Sequence, residues 1–412
     1  MGDLPSIFVG LLPDGAQGSA QAPGETVVRT TLRKRTSRAV LVFAASSLLG
    51  VTALATAGAP AVAATASSNE LGCIAATHGS SHVGRIAGIS HAVKTACPAP
   101  HVGDAANGTP PLLYHGGPMM MTRSTGALVV TPIFWTPSGH PMDAAYKSIL
   151  TGYISDVAAA SGSRTNVFAT ANEYSGTNGT IRYSVALGAP VTDTNPLPAD
   201  GCQLNGHDKS GIYADNSGYN ACLDDDQIIA ETDSVVNANH FVRDLAHIYV
   251  MYLPKHVESC FFGGSTNTAN NFCTINHEPS SAYCAYHSQA PSSTVYANMP
   301  FPVYASAVGF TCSSDAVFPS VQTPNGNADA DTEISPSSHE VMEAVTDPDT
   351  TTGWFDSSGF ENGDECAYVF GTTKGATGAV YNQTINGHHY LTQEEFSNNN
   401  FKRTGGGCLQ GS

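Results

Sequence analysis

The cysteines set the firmest limit on what this chain can fold into. All ten (73, 97, 202, 222, 260, 273, 284, 312, 366 and 408) lie beyond residue 66, and no two form a C-x-x-C pair. Thiolate metal centres draw on closely spaced cysteine pairs, whereas an even number of scattered cysteines in an exported chain forms disulfides. Proximity pairs Cys73 with Cys97 and Cys202 with Cys222, and makes Cys366–Cys408 a staple near the C-terminus, although spacing alone does not fix connectivity. Cross-links suit a chain in which only 12% of residues are charged while Gly (41) and Pro (24) are abundant. The 41% hydrophobic content supports a packed core and excludes a wholly disordered chain. A net charge of −17 argues against nucleic acid or anionic membrane as the main partner, because both repel an acidic surface.

An export route is written near the N-terminus. Arg29, Arg33, Lys34, Arg35 and Arg38 precede an apolar run at 39–54, and a small-residue stretch with an A-x-A pattern follows at 57–64. That order is the layout of a cleaved signal peptide. Ser46, Ser47, Gly50 and Thr52 dilute the run below the ~20 apolar residues of a membrane span, so cleavage near Ala63 or Ala66 leaves no stable anchor. The base-free, acidic stretch 1–26 is foreign to a signal peptide and is accounted for by a translation start at Val27 or Val28. Residues 1–66 are therefore read as N-terminal extension and signal, and their loss moves the net charge to −19.

Residues 67–111, rich in Ala, Gly, Ser and His, read as an extended or pro-like segment, and 112–412 as a single compact α+β domain. β-Branched and aromatic residues predict a strand at 127–135, and helical spacing of Ala145, Ile149, Tyr153 and Val157 predicts a helix at 142–160. Further strands are expected at 180–186, 247–253 and 301–310, with short ones at 367–370 and 389–391. A helix at 224–239 opens on Asp224, Asp225 and Asp226, acids suited to a helix N-terminus. Another, at 335–345, has Ser335 as N-cap, Pro336 in its first turn and Asp347-Pro348 at its end. Strands and helices mix without βαβ regularity, so a mixed sheet of the α+β class is expected rather than a doubly wound one.

The chemistry concentrates in Ser338-His339-Glu340-Val341-Met342-Glu343-Ala344-Val345-Thr346-Asp347-Pro348. On a helix, His339 and Glu343 project from one face. In zinc peptidases of the H-E-x-x-H type, the first and last residues bind zinc and the intervening Glu activates water. Here Glu replaces the second His, a harder donor set that suits Zn2+ and also admits Mn2+ or Ca2+. Asp347, Asp349, Asp356, Glu361 and Asp364 follow, and a loop turning back past the helix offers Glu361 or Asp364 as a further ligand. The competing reading is a solvated, turn-rich acidic loop.

Tyr114-His115-Gly116-Gly117-Pro118, the strand through Ile133-Phe134-Trp135, the stretch His247–Leu253, Cys284-Ala-Tyr-His287-Ser288, the His339-Glu340-x-x-Glu343-x-x-Thr346-Asp347-Pro348 segment and Glu361-x-Gly363-Asp364-x-Cys366 occur in that order. Together they resemble the EXORDIUM or phosphate-induced protein family, over roughly residues 112–366. Tyr381-Asn-Gln-Thr-Ile-Asn-Gly387 and Phe396-Ser-Asn398 resemble the endings of bacterial members. The resemblance implies an extracellular or cell-wall protein and implies no particular reaction.

His115, beside Gly-Gly-Pro, and His287, near Cys284, could each approach the site as a ligand, although a lone histidine in such a setting is more often structural; of the adjacent His388 and His389 a strand would aim only one at any site. Asn107, Asn178 and Asn382 stand in N-x-Ser/Thr patterns. No G-x-S-x-G elbow, P-loop or dinucleotide fingerprint is present, and glycoside hydrolysis would need two of Glu340, Glu343, Asp347 and Glu361 across a sugar cleft. The sequence thus points to a secreted, disulfide-stapled protein with a zincin-like helix. His339, Glu343, Glu361 and Asp364 are its expected metal ligands and Glu340 its general base. The substrate would be peptide or cell-wall material, and the alternative is a non-enzymatic module with a structural metal. Mass spectrometry of the exported protein should find an N-terminus just after Ala63 or Ala66; an intact signal would overturn that boundary.

Overall fold

A computed structural model describes residues 108–199, 221–260, 283–302, 323–367, 369–375 and 379–412. Its main sheet comprises Leu128–Trp135 (β1), Val185–Leu187 (β2), Val191–Asp193 (β3), His247–Tyr252 (β4), Tyr286–Gln289 (β5) and Val295–Met299 (β6). The order is β5–β6–β4–β1–β2, with β3 also beside β1. Only β5 and β6 are antiparallel, so the sheet is mixed and the fold is α+β.

Pro132 lies in a central strand, where a missing N–H normally costs a ladder bond. The break between β2, paired up to Val130, and β3, paired from Ile133, falls beside it, so no partner strand there waits for that donor.

Helices cover both faces. Ala144–Ala159 (α1) and Ala328–Thr346 (α3) pack on one, against Val130, Phe134, Val250, Tyr252 and Met299. Asp225–Ala238 (α2) packs on the other through Ile228, Val235 and Val236, against Ile133, Trp135, Tyr249, Met251 and Tyr296. Asp224 is the N-cap of α2 rather than its first residue, and forms a capping box with Gln227.

α3 departs most from expectation. It begins seven residues before Ser335, with Asn327 as N-cap accepting from Ala330 N–H, and Pro336 lies in its interior. An interior proline costs about 3 kcal/mol in an exposed helix. Here the helix is held by its surroundings, since every residue from Ala330 to Thr346 is buried. A periodic apolar stripe cannot announce a helix that has no solvent face.

The strand expected at 180–186 is instead Gly179–Thr180, a bridge at Ile181 and β2. Residues 303–310 lie outside the described residues, while Phe301 and Pro302 are not in a strand; the hairpin of β5 and β6 went unforeseen. Ala367, Val369 and Phe370 are not in a strand, Tyr368 lies outside the described residues, and a 3-10 turn at Asp364–Cys366 precedes them. His388–Tyr390 pairs with Gln383–Ile385, one residue earlier than expected. Among the described residues, no helix is long and apolar enough to cross a membrane.

The Cys366–Cys408 disulfide is present and ties the loop after α3 to the strand Cys408–Leu409, which pairs with Glu395–Phe396. Cys222, Cys260 and Cys284 are also disulfide-bonded. Cys73, Cys97 and Cys202, named in the other expected pairs, lie outside the described residues. With its cysteines 42 residues apart, the Cys366–Cys408 link should contribute about 4 kcal/mol through the unfolded chain. A Cys366→Ser, Cys408→Ser double variant should unfold at markedly lower denaturant; an unchanged midpoint would show that packing alone holds the loop.

Candidate metal centre

α3 carries Glu333, His339, Glu340 and Glu343 into a region that water does not reach, with exposures of 0–2%. The i,i+4 spacing brings His339 Nε2 to 2.9 Å from Glu343 Oε1. Polar side chains buried in this way must find partners or carry a heavy desolvation cost, and the surrounding segments supply them.

The first comes from β5. His287, fully buried, lies 2.9 Å from the Asp347 carbonyl through Nε2 and 3.3 Å from Glu340 Oε2 through Nδ1; Glu343 Oε2 is 3.7 Å from the same Nδ1. A carbonyl can only accept, so Nε2 carries a proton and Nδ1 faces two carboxylates. Two acceptors and a bare lone pair repel one another, so a proton or a cation must lie between them.

The second is the loop after α3. Asp364 N–H donates to Glu343 Oε1 at 2.9 Å, and Asp364 Oδ1 lies 3.6 Å from His339 Nε2. Glu361 Oε1 is 3.9 Å from His287 Nε2. Gly363 makes this approach possible: a Cβ there would lie 2.7 Å from His339 Nδ1 and 2.9 Å from Glu343 Oε1. The third is the segment before Glu395–Phe396. Gln393 Nε2 donates to the Gly363 carbonyl at 2.7 Å and reaches His339 Nδ1 at 2.8 Å. That amide orientation, assigned from the network, leaves the neutral His339 proton on Nε2, facing Glu343. Glu395 is fully buried close by.

The electrostatics follow from crowding. Burial alone would lower both imidazoles, but Glu361, Glu340 and Glu343 overcome it at His287, and Glu343, Glu340 and Asp364 at His339, so both rise well above the ordinary histidine range. Burial pushes Glu340 up to about 7 against the pull of His339 and His287. At Glu343 burial is outweighed by His339 and then His287, which hold it down at about 2. Burial raises Glu361 and Asp364 well above the usual carboxylate range, with Glu343 adding to both.

His339, Glu340, Glu343 and Asp364 therefore meet in space, whereas Glu361 approaches His287 through its Nε2 side and falls in neither set of possible ligands. Of the other acids in the loop, Asp349 accepts from Thr351 and Thr352, and Asp356 accepts from Thr109, Ser358 and Phe360, so these two cap turns. His115 stacks on Phe355 and His389 on Tyr381, while His388 Nδ1 bonds Asp156 at 2.6 Å. His287, which sequence reading weighs as a ligand but takes as structural, joins the site, as do Gln393 and Glu395, which it passes over. The Cys-x-x-His spacing of Cys284 and His287 in a Tyr-rich strand was the available signal for the first. The other two carry none, because only the chain's return from the C-terminal side brings them in.

Two triads of possible ligands result: His287 with Glu340 and Glu343, and His339 with Glu343 and Asp364. In the cation-free protein, protons do the neutralising. Burial also raises Asp225 to about 6 and Glu365 to about 8. A group whose pKa is higher in the folded than in the unfolded state stabilises the fold at low pH and loses that contribution as pH rises through its folded pKa. Asp225, Glu340 and Glu365 act in that sense, and Glu343 acts oppositely only below the ordinary carboxylate range. Denaturant titrations in chelator should therefore show stability falling from pH 5 to pH 8; a maximum at pH 8 would contradict these environments. Comparison with protein-family models, with curated proteins and with solved structures finds no match to this chain.

Proposed function

We propose that the protein is an exported, metal-dependent hydrolase of the zincin-like metallopeptidase class, acting outside the cell on peptide or cell-wall material. One observation carries the reading: His287, its Nε2 committed to a carbonyl, turns Nδ1 onto the Glu340 and Glu343 carboxylates in a fully buried setting. The donor set fits a cation. Separations of 2.9–3.7 Å between the facing atoms of His287, His339, Glu340, Glu343 and Asp364 match the edges of a coordination polyhedron with bonds of about 2.1 Å. His287 with Glu340 and Glu343, or His339 with Glu343 and Asp364, would hold the ion; Glu361, 3.9 Å from His287 Nε2, falls in neither set. Zn2+ suits the imidazoles, and the oxygen-rich remainder also admits Mn2+ or Ca2+.

When bound, such a cation lowers the pKa of its water towards ~7. Glu340, whose Oε1 lies 3.9 Å from His339 Nε2, stands where it can take and return that water's proton. The Asp347 carbonyl fixes the His287 ring through Nε2–H, as outer partners of metal-bound histidines do, and Gln393 holds the His339 ring in place. The resemblance to EXORDIUM proteins and the signal-like N-terminus support an extracellular setting.

Complete burial of the cluster favours a second reading, a wall-associated module in which the cation only offsets buried charge. The two separate in a peptide-cleavage screen with and without chelator. As a hydrolase, the protein should lose cleavage in chelator and in Glu340→Gln, by 100-fold or more for a general base, while that variant keeps the cation at His339. Cleavage at an undiminished rate in Glu340→Gln would sink the base assignment. No cleavage by the wild type, with a lower melting temperature in chelator, would leave the module reading.

A further inference from the structure

We propose that the cluster holds two cations side by side, bridged by the carboxylate of Glu343. The inference rests on the metal-centre reading above and adds a second position to it. Within this cluster, ligand atoms within 4.8 Å of one another fall into two sets that share Glu343 and do not merge into one; a third set elsewhere among the described residues, Cys222, Glu258 and Cys260, has its cysteines in disulfides. A cation with bonds of ~2.0–2.3 Å cannot hold two atoms further apart than about 4.5 Å, so the sets define separate positions.

Glu343 serves the positions through different oxygens: Oε1 lies 2.9 Å from His339 Nε2, and Oε2 lies 3.7 Å from His287 Nδ1. Glu340 spans them in the same way, with Oε2 3.3 Å from His287 Nδ1 and Oε1 3.9 Å from His339 Nε2. Its Oε1 has no hydrogen-bond donor and stays available for proton transfer while Oε2 serves the His287 position. Both oxygens of the buried Glu361 also lack a donor. One divalent cation offsets two of the four carboxylates of Glu340, Glu343, Glu361 and Asp364; a pair offsets all four. Paired cations about 3.5–4 Å apart are an established hydrolytic arrangement, one steadying the attacking oxygen and the other the leaving one.

The positions are not equally ready. His287 already presents Nδ1 with its other nitrogen hydrogen-bonded outward, the arrangement that metal-binding histidines adopt. His339 offers Nε2 only when the proton moves to Nδ1, which costs the bond that Nδ1 accepts from Gln393 Nε2, an amide held in that orientation by the Gly363 carbonyl. The first equivalent therefore enters at His287, and the second binds more weakly.

The purified full chain, stripped with chelator and dialysed against Mn2+, tests this by elemental analysis and electron paramagnetic resonance. Two equivalents with an exchange-coupled Mn2+ signal are expected, and His287→Ala and His339→Ala should each keep one equivalent and lose the coupling. One equivalent in the wild type, abolished by either variant, would mean a single shared centre and overturn the second position alone. Two equivalents without coupling would place the extra ion elsewhere and overturn it as well. No bound metal at any loading would overturn both readings. The wild-type result decides the matter even where a variant fails to fold.

Discussion

A carboxylate removed from water costs several kcal/mol unless a positive group or a proton meets it. α3 removes Glu333, Glu340 and Glu343 along one helix, and the loop beyond it adds Glu361 and Asp364. Both imidazoles within reach answer that charge, and much of the architecture around α3 serves to deliver them or their partners. β5 exists beside β6 to place His287; the turn after Thr346 puts the Asp347 carbonyl where it orients that ring. The helix tolerates Pro336 because tertiary packing, rather than its own ladder, holds it in place.

The same constraint explains the glycine at 363 and the cross-link at Cys366. For a loop to touch two groups on the buried face of a helix, its backbone must come closer than a side chain allows, and Gly363 supplies that clearance. Three residues later the disulfide fixes the loop to the C-terminal strand, and Gln393 ties the Gly363 carbonyl to His339. At its outer side Asp356 accepts from Thr109, and Glu365 accepts from Gly108 N–H at 2.9 Å, so residues before 112 are already laced to the same loop.

How much of this was legible depended on where the information lay. The i,i+4 relation of His339 and Glu343 is local and carries over directly from sequence to helix, as do the strand through Ile133-Phe134-Trp135 and the acidic cap of α2. Glu361 and Asp364 could be nominated because they follow at once on the chain. His287 was visible as a residue but not as a partner, since its role comes from a strand-to-helix contact across 53 residues. The start of α3 was misplaced for a physical reason: burial on all sides erases the polar stripe that marks where a surface helix begins. Pro336 then looked like a first-turn residue, because proline is ordinarily tolerated only there.

The closing contacts of Gln393, Glu395 and Cys408 have a consequence for how the molecule comes into being. A chain made from its N-terminus has produced α3 and the acidic loop well before these residues exist. Until they arrive, His339 lacks its amide partner, and the loop lacks its covalent tie. The charged face of α3 must therefore stay hydrated until those later residues are in place, and is dehydrated in a step that joins segments apart in sequence. Assembly of the centre thus waits on the stretch from Gln393 to Cys408, which controls when it happens.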